Sequence, residues 1–352
     1  MRAAVLHGPR DVRMEDVPSP VAGPGEVVVR VKAALTCGTD VKVFRRGYHA
    51  RMLTPPALFG HEMAGVVEAV GAGVEAWVPG AAVVTANSAP CGACAFCADG
   101  RESLCEDLLF WNGAYAELAL LPARIVAKNL LPLPDGLAFR RAALTEPLAC
   151  VVRGVSGSRI EAGQTVVVIG SGPIGLMFVR LAALAGARVV VAGRRQARLD
   201  KALQMGAAAV VAAEGPAWEE ALRRETPGGG GAHVVVEASG TADGSAAALR
   251  GVRKGGLVQL FAGTPSGTSV PLDVARLHYE EITVTSSFHH TPASVREALR
   301  LIASGSVDAD LLITRERPLD EVPEALAEAA RGSDDLKTAI VPPAPGSSSD
   351  SA

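Results

Sequence analysis

Aromatic residues are scarce, with 3 Trp, 3 Tyr and 8 Phe among 352 residues, which leaves no platform of interleaved rings for stacking nucleobases. Charge of one sign is not in excess either. With 34 Lys and Arg against 37 Asp and Glu, the net charge is -3, and no block of like charges offers a field for a phosphate backbone or an anionic lipid surface. Neither nucleic acid nor membrane is therefore expected as a partner. The apolar stretch at 164–179 falls short of the ~20 residues that cross a bilayer and is broken by Gly170, Gly172, Pro173 and Gly175. The chain starts Met1-Arg2-Ala3-Ala4-Val5 and runs into polar residues at 10–16 instead of an apolar signal segment, so a cytoplasmic location is expected. Cysteine is limited to six residues, and four of them crowd into 91–105. In a reducing compartment that crowding favours a metal over disulfides.

What is present is apolar bulk: 49% of the residues are hydrophobic, more than one compact core usually holds at this length, so two domains are expected. Residues 1–150 carry short β-type runs at 26–31, 64–70 and 81–85 separated by Gly and Pro. From 151 to 288 strand and helix patterns alternate, beginning with a strand at 165–169 and a helix at 174–185, and such alternation builds a parallel sheet covered by helices. Residues 289–341 hold helices at 294–304 and 321–330 and a strand at 337–341, a segment expected to return to the first domain. The Pro-, Ser- and Gly-rich 342–352 is expected to be a disordered tail.

Cys91, Cys94, Cys97 and Cys105 follow the spacing C-x2-C-x2-C-x7-C, close enough for one loop to wrap four thiolates around Zn²⁺. A site closed in this way is structural, because no coordination position stays open for substrate. A second donor set is dispersed: Cys37, His61, Glu62 and Glu146 supply the thiolate, imidazole and carboxylate mixture that catalytic zinc uses. Taken singly, each has an ordinary alternative as a small buried thiol, a hydrogen-bonded histidine or the acid that starts a helix.

Gly60-His61-Glu62-Met63-Ala64-Gly65, followed by Gly71 and Val74, resembles the zinc signature of medium-chain alcohol dehydrogenases. The four-cysteine loop and a later glycine motif resemble theirs in the same order, and Glu146 before Pro147-Leu148-Ala149 resembles the sorbitol and threonine dehydrogenase branch. The resemblance covers nearly the whole chain. It implies an α/β protein with a GroES-like β-rich catalytic domain, a Rossmann doubly wound parallel sheet and an active-site cleft between them. It also implies one catalytic and one structural zinc ion per subunit, with Glu62, Glu146 or water in the fourth position of the catalytic ion, and a homodimer or homotetramer.

The glycine motif is Gly170-Ser171-Gly172-Pro173-Ile174-Gly175, placed directly after the apolar run 166–169 and before a helical pattern, the context that a dinucleotide site requires. The first glycine permits the tight turn, the second lets the pyrophosphate approach the backbone, and the third packs helix on strand. At the end of the next strand, where an NAD enzyme places an acid for the ribose 2′-hydroxyl, stands Gly193-Arg194-Arg195. Two guanidinium groups suit a 2′-phosphate, so NADP is the expected cofactor and NAD the lesser one. By the same resemblance Arg198 approaches the adenosine ribose.

The reaction implied is hydride transfer between a small-molecule secondary alcohol, polyol or sugar-like substrate and the nicotinamide. Thr39 matches the family's relay hydroxyl and Asp40 supports the metal ligands from behind, while Lys42 stands where many relatives carry a relay histidine. His49, Phe110 and Trp111 lie where relatives line the substrate pocket, Phe288-His289-His290 where they meet nicotinamide or substrate, and Cys150 is expected to be an inert buried thiol. Two other classes compete: a zinc-independent reductase of the same superfamily, and a catalytically inactive dinucleotide-binding protein of the same fold.

Overall fold

In the computed structural model, which describes residues 1–212 and 216–343, the chain divides into two compact units. Met1–Pro147 with Thr291–Ala352 forms one, and Leu148–His290 forms the other. The division falls inside the helix Thr145–Ser158, where no Gly- or Pro-rich linker marks it. Of the expected disordered tail, residues 344–352 lie outside the described residues.

The first unit is built on a seven-stranded sheet whose centre is Val27–Leu35. This strand pairs antiparallel with Met63–Val70, Leu118–Leu121 and Lys337–Val341. Its β-branched residues alternate faces, and Val27, Val29 and Val31 enter one core with Phe59, Tyr115, Leu121 and Ile340. The return segment thus supplies a strand of this sheet, and its helix Val322–Arg331 packs on the helix Gly38–Arg46. That second helix has no counterpart in the sequence reading, because GTDVKVFRR buries only Asp40, Val43 and Phe44 and its apolar stripe is too short to register as a period.

The second unit holds six parallel strands in the order Ala209–Ala212, Arg188–Gly193, Thr165–Ile169, Ala232–Glu237, Val252–Leu260 and Thr283–Ser286. Reversal of strand order on either side of Thr165–Ile169 makes the doubly wound arrangement that binds a ligand beyond the carboxyl end of its first strand. Val167, Val190, Val235 and Val258 are fully buried, as strands covered by helices on both faces require.

Candidate active site

In the first unit Cys37 ends the central strand's loop and serves as N-cap of Gly38–Arg46. Its thiol accepts from Thr39 N at 3.4 Å, while Asp40, at the third helical position, accepts from Cys37 N at 3.0 Å through Oδ2. The Cys-Gly-Thr-Asp sequence is therefore a capping box that points a sulfur outward and a carboxylate inward. Asp40 Oδ1 lies 3.0 Å from His61 Nδ1, without straight hydrogen-bond alignment. A carboxylate behind a histidine fixes the ring and leaves its other nitrogen for a ligand.

Donor atoms of Cys37, His61 and Glu62 lie within 4.8 Å of one another, a set of thiolate, imidazole and carboxylate that fits a zinc ion. Burial acts to raise the Cys37 thiol, but the His61 hydrogen bond and the charges of His61 and Lys337 bring it down to about 7. Burial acts against charge on His61 as well, but Asp40 and Cys37 together hold the imidazole well above its ordinary value. Glu62 is fully buried and both of its oxygens are taken by Lys337 Nζ, at 2.8 and 2.6 Å, with the Thr36 carbonyl 3.0 Å from the same ammonium. Burial pushes the Glu62 carboxyl up while Lys337 opposes the rise. Burial acts to lower Lys337, but Glu62, Cys37 and Glu146 together hold it above its usual range. Glu146 sits buried in the first turn of its helix, pushed up to about 7 by burial and by Glu62 and Asp40, against His61 and Lys337.

Four thiols converge in the 91–105 loop. Cys94 lies 3.6 Å from Cys97 and 3.9 Å from Cys105, and Cys91 lies 4.0 Å from Cys97. A tetrahedron with Zn–S bonds of ~2.3 Å has edges of about 3.8 Å, whereas a disulfide closes to ~2.05 Å, so the spacing fits a metal and no bridge. No disulfide joins any of the six cysteines. The helical turn Ala95–Ala98 buries none of its residues, so this lobe has no core of its own to hold it. Backbone N–H groups of Ala93 and Cys94 lower Cys91 to about 6, whereas burial and the neighbouring thiols push Cys97 up to about 12.

In the second unit the glycine turn joins Thr165–Ile169 to the helix Pro173–Leu184, with Gly172 as N-cap and Pro173 as first helical residue. Gly170 has φ +111 and its absent Cβ would lie 2.9 Å from the Ala238 carbonyl carbon, while a Cβ on Gly175 would lie 1.9 Å from Gly170 O. Gly172 differs, because nothing stands within 4 Å of the place its Cβ would occupy. The first and third glycines are required by the protein itself; the second faces open space of the kind a pyrophosphate fills. At Gly193 a Cβ would meet Ser171 Oγ at 2.6 Å and Leu199 Cδ2 at 3.0 Å, so any side chain at this strand end requires Ser171 and Leu199 to shift. Beside it Arg194 is exposed and Arg195 and Arg198 are half-buried, with Arg195 capping the helix Gln196–Gln204.

Other sequence candidates fall in different places. Thr39 is half-buried in the first helical turn and Lys42 is exposed on the same helix. His49 Nδ1 accepts from Arg51 N at 3.2 Å and Met52 N at 3.1 Å, so this ring nitrogen holds its own turn. Trp111 is buried in the core and donates to Leu120 O at 2.7 Å, a structural role. Phe288 is exposed, His289 has a positive φ of 59 and stacks on it, and His290 is buried. Sequence reading missed Tyr115 and Lys337: no motif surrounds either, and folding brings each to the site from far along the chain.

The fold and the paired sites define a metal-dependent dinucleotide oxidoreductase. Residues 23–135 match the family model of the alcohol dehydrogenase GroES-like domain, and residues 173–304 that of zinc-binding dehydrogenases. A sorbitol dehydrogenase of Bombyx mori is 32% identical over 94% of this chain and 95% of its own length. The sorbitol dehydrogenase of Bacillus subtilis (strain 168) is 30% identical over 97% of both chains. A crystal structure from Sinorhizobium meliloti 1021, assigned as a zinc-binding dehydrogenase and bound to NADP, superposes with a TM-score of 0.88 at 32% identity, covering 97% of this chain and 99% of that one. The chain belongs to the zinc-binding alcohol dehydrogenase family. It is an oxidoreductase of the alcohol and polyol class that uses zinc and a nicotinamide dinucleotide, and the inactive alternative finds no support among these relatives.

Proposed function

We propose that this chain transfers a hydride between the carbinol carbon of a secondary alcohol, polyol or sugar-like substrate and NADP, with NAD the weaker cofactor. The observation that carries the reading is the donor set of half-buried Cys37 with buried His61 and Glu62, backed by Asp40, in a chain that also has an open glycine turn without an acid at Gly193. In this reading Cys37 and His61 hold the catalytic zinc, with Glu62, Glu146 or water completing its coordination, and Cys91, Cys94, Cys97 and Cys105 hold the structural one. Zinc supplies the Lewis acidity that lowers the pKa of the substrate hydroxyl, and the nicotinamide supplies the hydride acceptor. Thr39, two residues after Cys37 and half-buried, passes the hydroxyl proton outward. Lys42 is exposed, so water completes the path beyond Thr39.

Gly170, Gly172, Pro173, Ile174 and Gly175 receive the pyrophosphate, Arg194 and Arg195 beside Gly193 receive the 2′-phosphate, and Arg198 approaches the adenosine ribose. Charge-assisted bonds to guanidinium contribute ~1.5 to 3 kcal/mol each, enough for a tenfold or greater preference for NADP. Steady-state kinetics with both cofactors, at one ionic strength and on a panel of secondary alcohols, polyols, cyclitols and L-threonine, tests this. A higher kcat/KM with NAD would sink the cofactor preference, and no turnover on any of these alcohols would sink the reaction.

We further propose a homo-oligomer. Thr283–Ser286 is the last strand of its sheet, three of its four residues are exposed, and Leu272, Val274, Tyr279, Val284 and Phe288 stand exposed along the same segment. An uncovered edge with apolar side chains around it suits pairing with a second copy.

A further inference from the structure

Two proposed metal ligands come from different elements, and one buried residue touches the supports of both. Cys37 follows the central strand and is set by Asp40, whereas His61 follows Phe59-Gly60. Tyr115 is fully buried, and its hydroxyl lies 2.5 Å from Asp40 Oδ2 and 3.0 Å from Leu35 O, two residues before Cys37. On the other side its ring packs edge-on against Phe59, with centroids 5.9 Å apart, and lies over Gly60, where a Cβ would fall 2.7 Å from the ring. Its amide donates to Phe59 O at 2.9 Å, and the amides of Gly113 and Ala114 both donate to Gly60 O.

We propose that Tyr115 is a positioning residue of the catalytic zinc site: its hydroxyl and the Cys37 amide clamp one oxygen of Asp40 and so aim the other at His61. The geometry is an unequal division of one carboxylate. Oδ2 accepts from Cys37 N at 3.0 Å and from Tyr115, which fixes rotation of the group, and Oδ1 is then left 3.0 Å from His61 Nδ1. Without the hydroxyl, Asp40 keeps a single backbone donor and is free to turn, and the imidazole loses the partner that orients it. The ring does separate work: it fills the space that Gly60 leaves and holds the chain just before His61. A phenyl ring would keep that packing and lose only the clamp, so Tyr115→Phe isolates the proposed role.

The inference rests on Cys37 and His61 as zinc ligands, and the experiment distinguishes the two. Zinc release from the holoenzyme to an excess of a chromogenic chelator is followed in time, with Cys94→Ser used to identify the phase that belongs to the 91–105 loop. In Tyr115→Phe the other phase should accelerate about tenfold to a hundredfold, the range typical for loss of an outer hydrogen-bond partner of a metal ligand. The loop phase should stay unchanged, kcat should fall while KM for the alcohol stays within about twofold, and thermal unfolding should remain cooperative. In an Asp40→Asn background the same substitution should add nothing, since Tyr115 acts through that carboxylate. An unmoved release rate, equal acceleration of both phases or loss of cooperative unfolding would overturn the role of Tyr115. Absence of a second zinc from the unaltered protein would overturn the ligand assignment itself.

Discussion

Cys37 shows how a single side chain is tuned by what surrounds it. Burial acts against its thiolate, yet His61 and Lys337 bring the thiol to about 7 from an ordinary 9.0. The thiolate fraction therefore rises as pH rises through about 7 in the metal-free protein. Alkylation of Cys37 by iodoacetamide, followed by peptide mass spectrometry, should reach half its maximal rate near that pH. His61→Ala should move the midpoint upward, since burial then acts with less opposition, and an unchanged midpoint would mean that His61 does not set the thiol. Lys337 makes a second case, because its ammonium is the counter-charge of the fully buried Glu62. Removing one member of a buried ion pair costs about 3–5 kcal/mol, while removing both is often close to neutral. Lys337→Met should thus lose stability on that scale in urea unfolding, and Lys337→Met with Glu62→Gln should recover most of it. Cys37, His61 and Glu62 were legible in the sequence because they sit in short local motifs. Tyr115 and Lys337 were not, because their partners lie 75 and 275 residues away and only the sheet brings them together.

At the scale of the element, the glycine turn distinguishes what the fold needs from what the ligand needs. A methyl on Gly175 would strike Gly170 O at 1.9 Å, between helix and strand, whereas a methyl on Gly172 meets nothing. Gly175→Ala should lower the midpoint of thermal unfolding. Gly172→Ala should leave unfolding unchanged and weaken NADP binding by at least tenfold, read by fluorescence titration; intact binding would show that the pyrophosphate does not pass there. The cysteine lobe permits a similar division. Cys94→Ser should lose one zinc and become a site of proteolysis within 91–105, whereas Cys37→Ser should lose the other zinc and turnover with the fold retained, so equal unfolding of both would remove the distinction between structural and catalytic sites. Strand runs such as Thr165–Ile169 were legible because β-branched residues buried on both faces read as continuous apolar segments. The helix Gly38–Arg46 was not, since a capping box of Cys37 and Asp40 starts it where Ser or Thr would have signalled a cap.

At the scale of the whole molecule, the sequence shows a change of pattern near residue 150 but not that a single helix carries the chain across the change. Periodicity reports on local burial, and a helix buried on both sides of the division looks the same throughout. The return of 289–341 to the first unit was legible only as an expectation; its physical basis is the pairing of Lys337–Val341 with Val27–Leu35, a contact between chain ends that no local pattern encodes. The edge strand Thr283–Ser286 raises the remaining question of scale, since a sheet edge flanked by exposed Val284 and Tyr279 exposes backbone donors and acceptors to any similar strand. If two copies join there, a lysine at position 284 should place like charges near the two-fold axis and weaken association without touching either metal site. Sedimentation velocity of Val284→Lys should then show a smaller species than the unaltered protein at the same concentration, with zinc content unchanged. An unaltered protein that sediments as a monomer would remove the oligomer, and an oligomer indifferent to Val284→Lys would move the interface elsewhere on the surface.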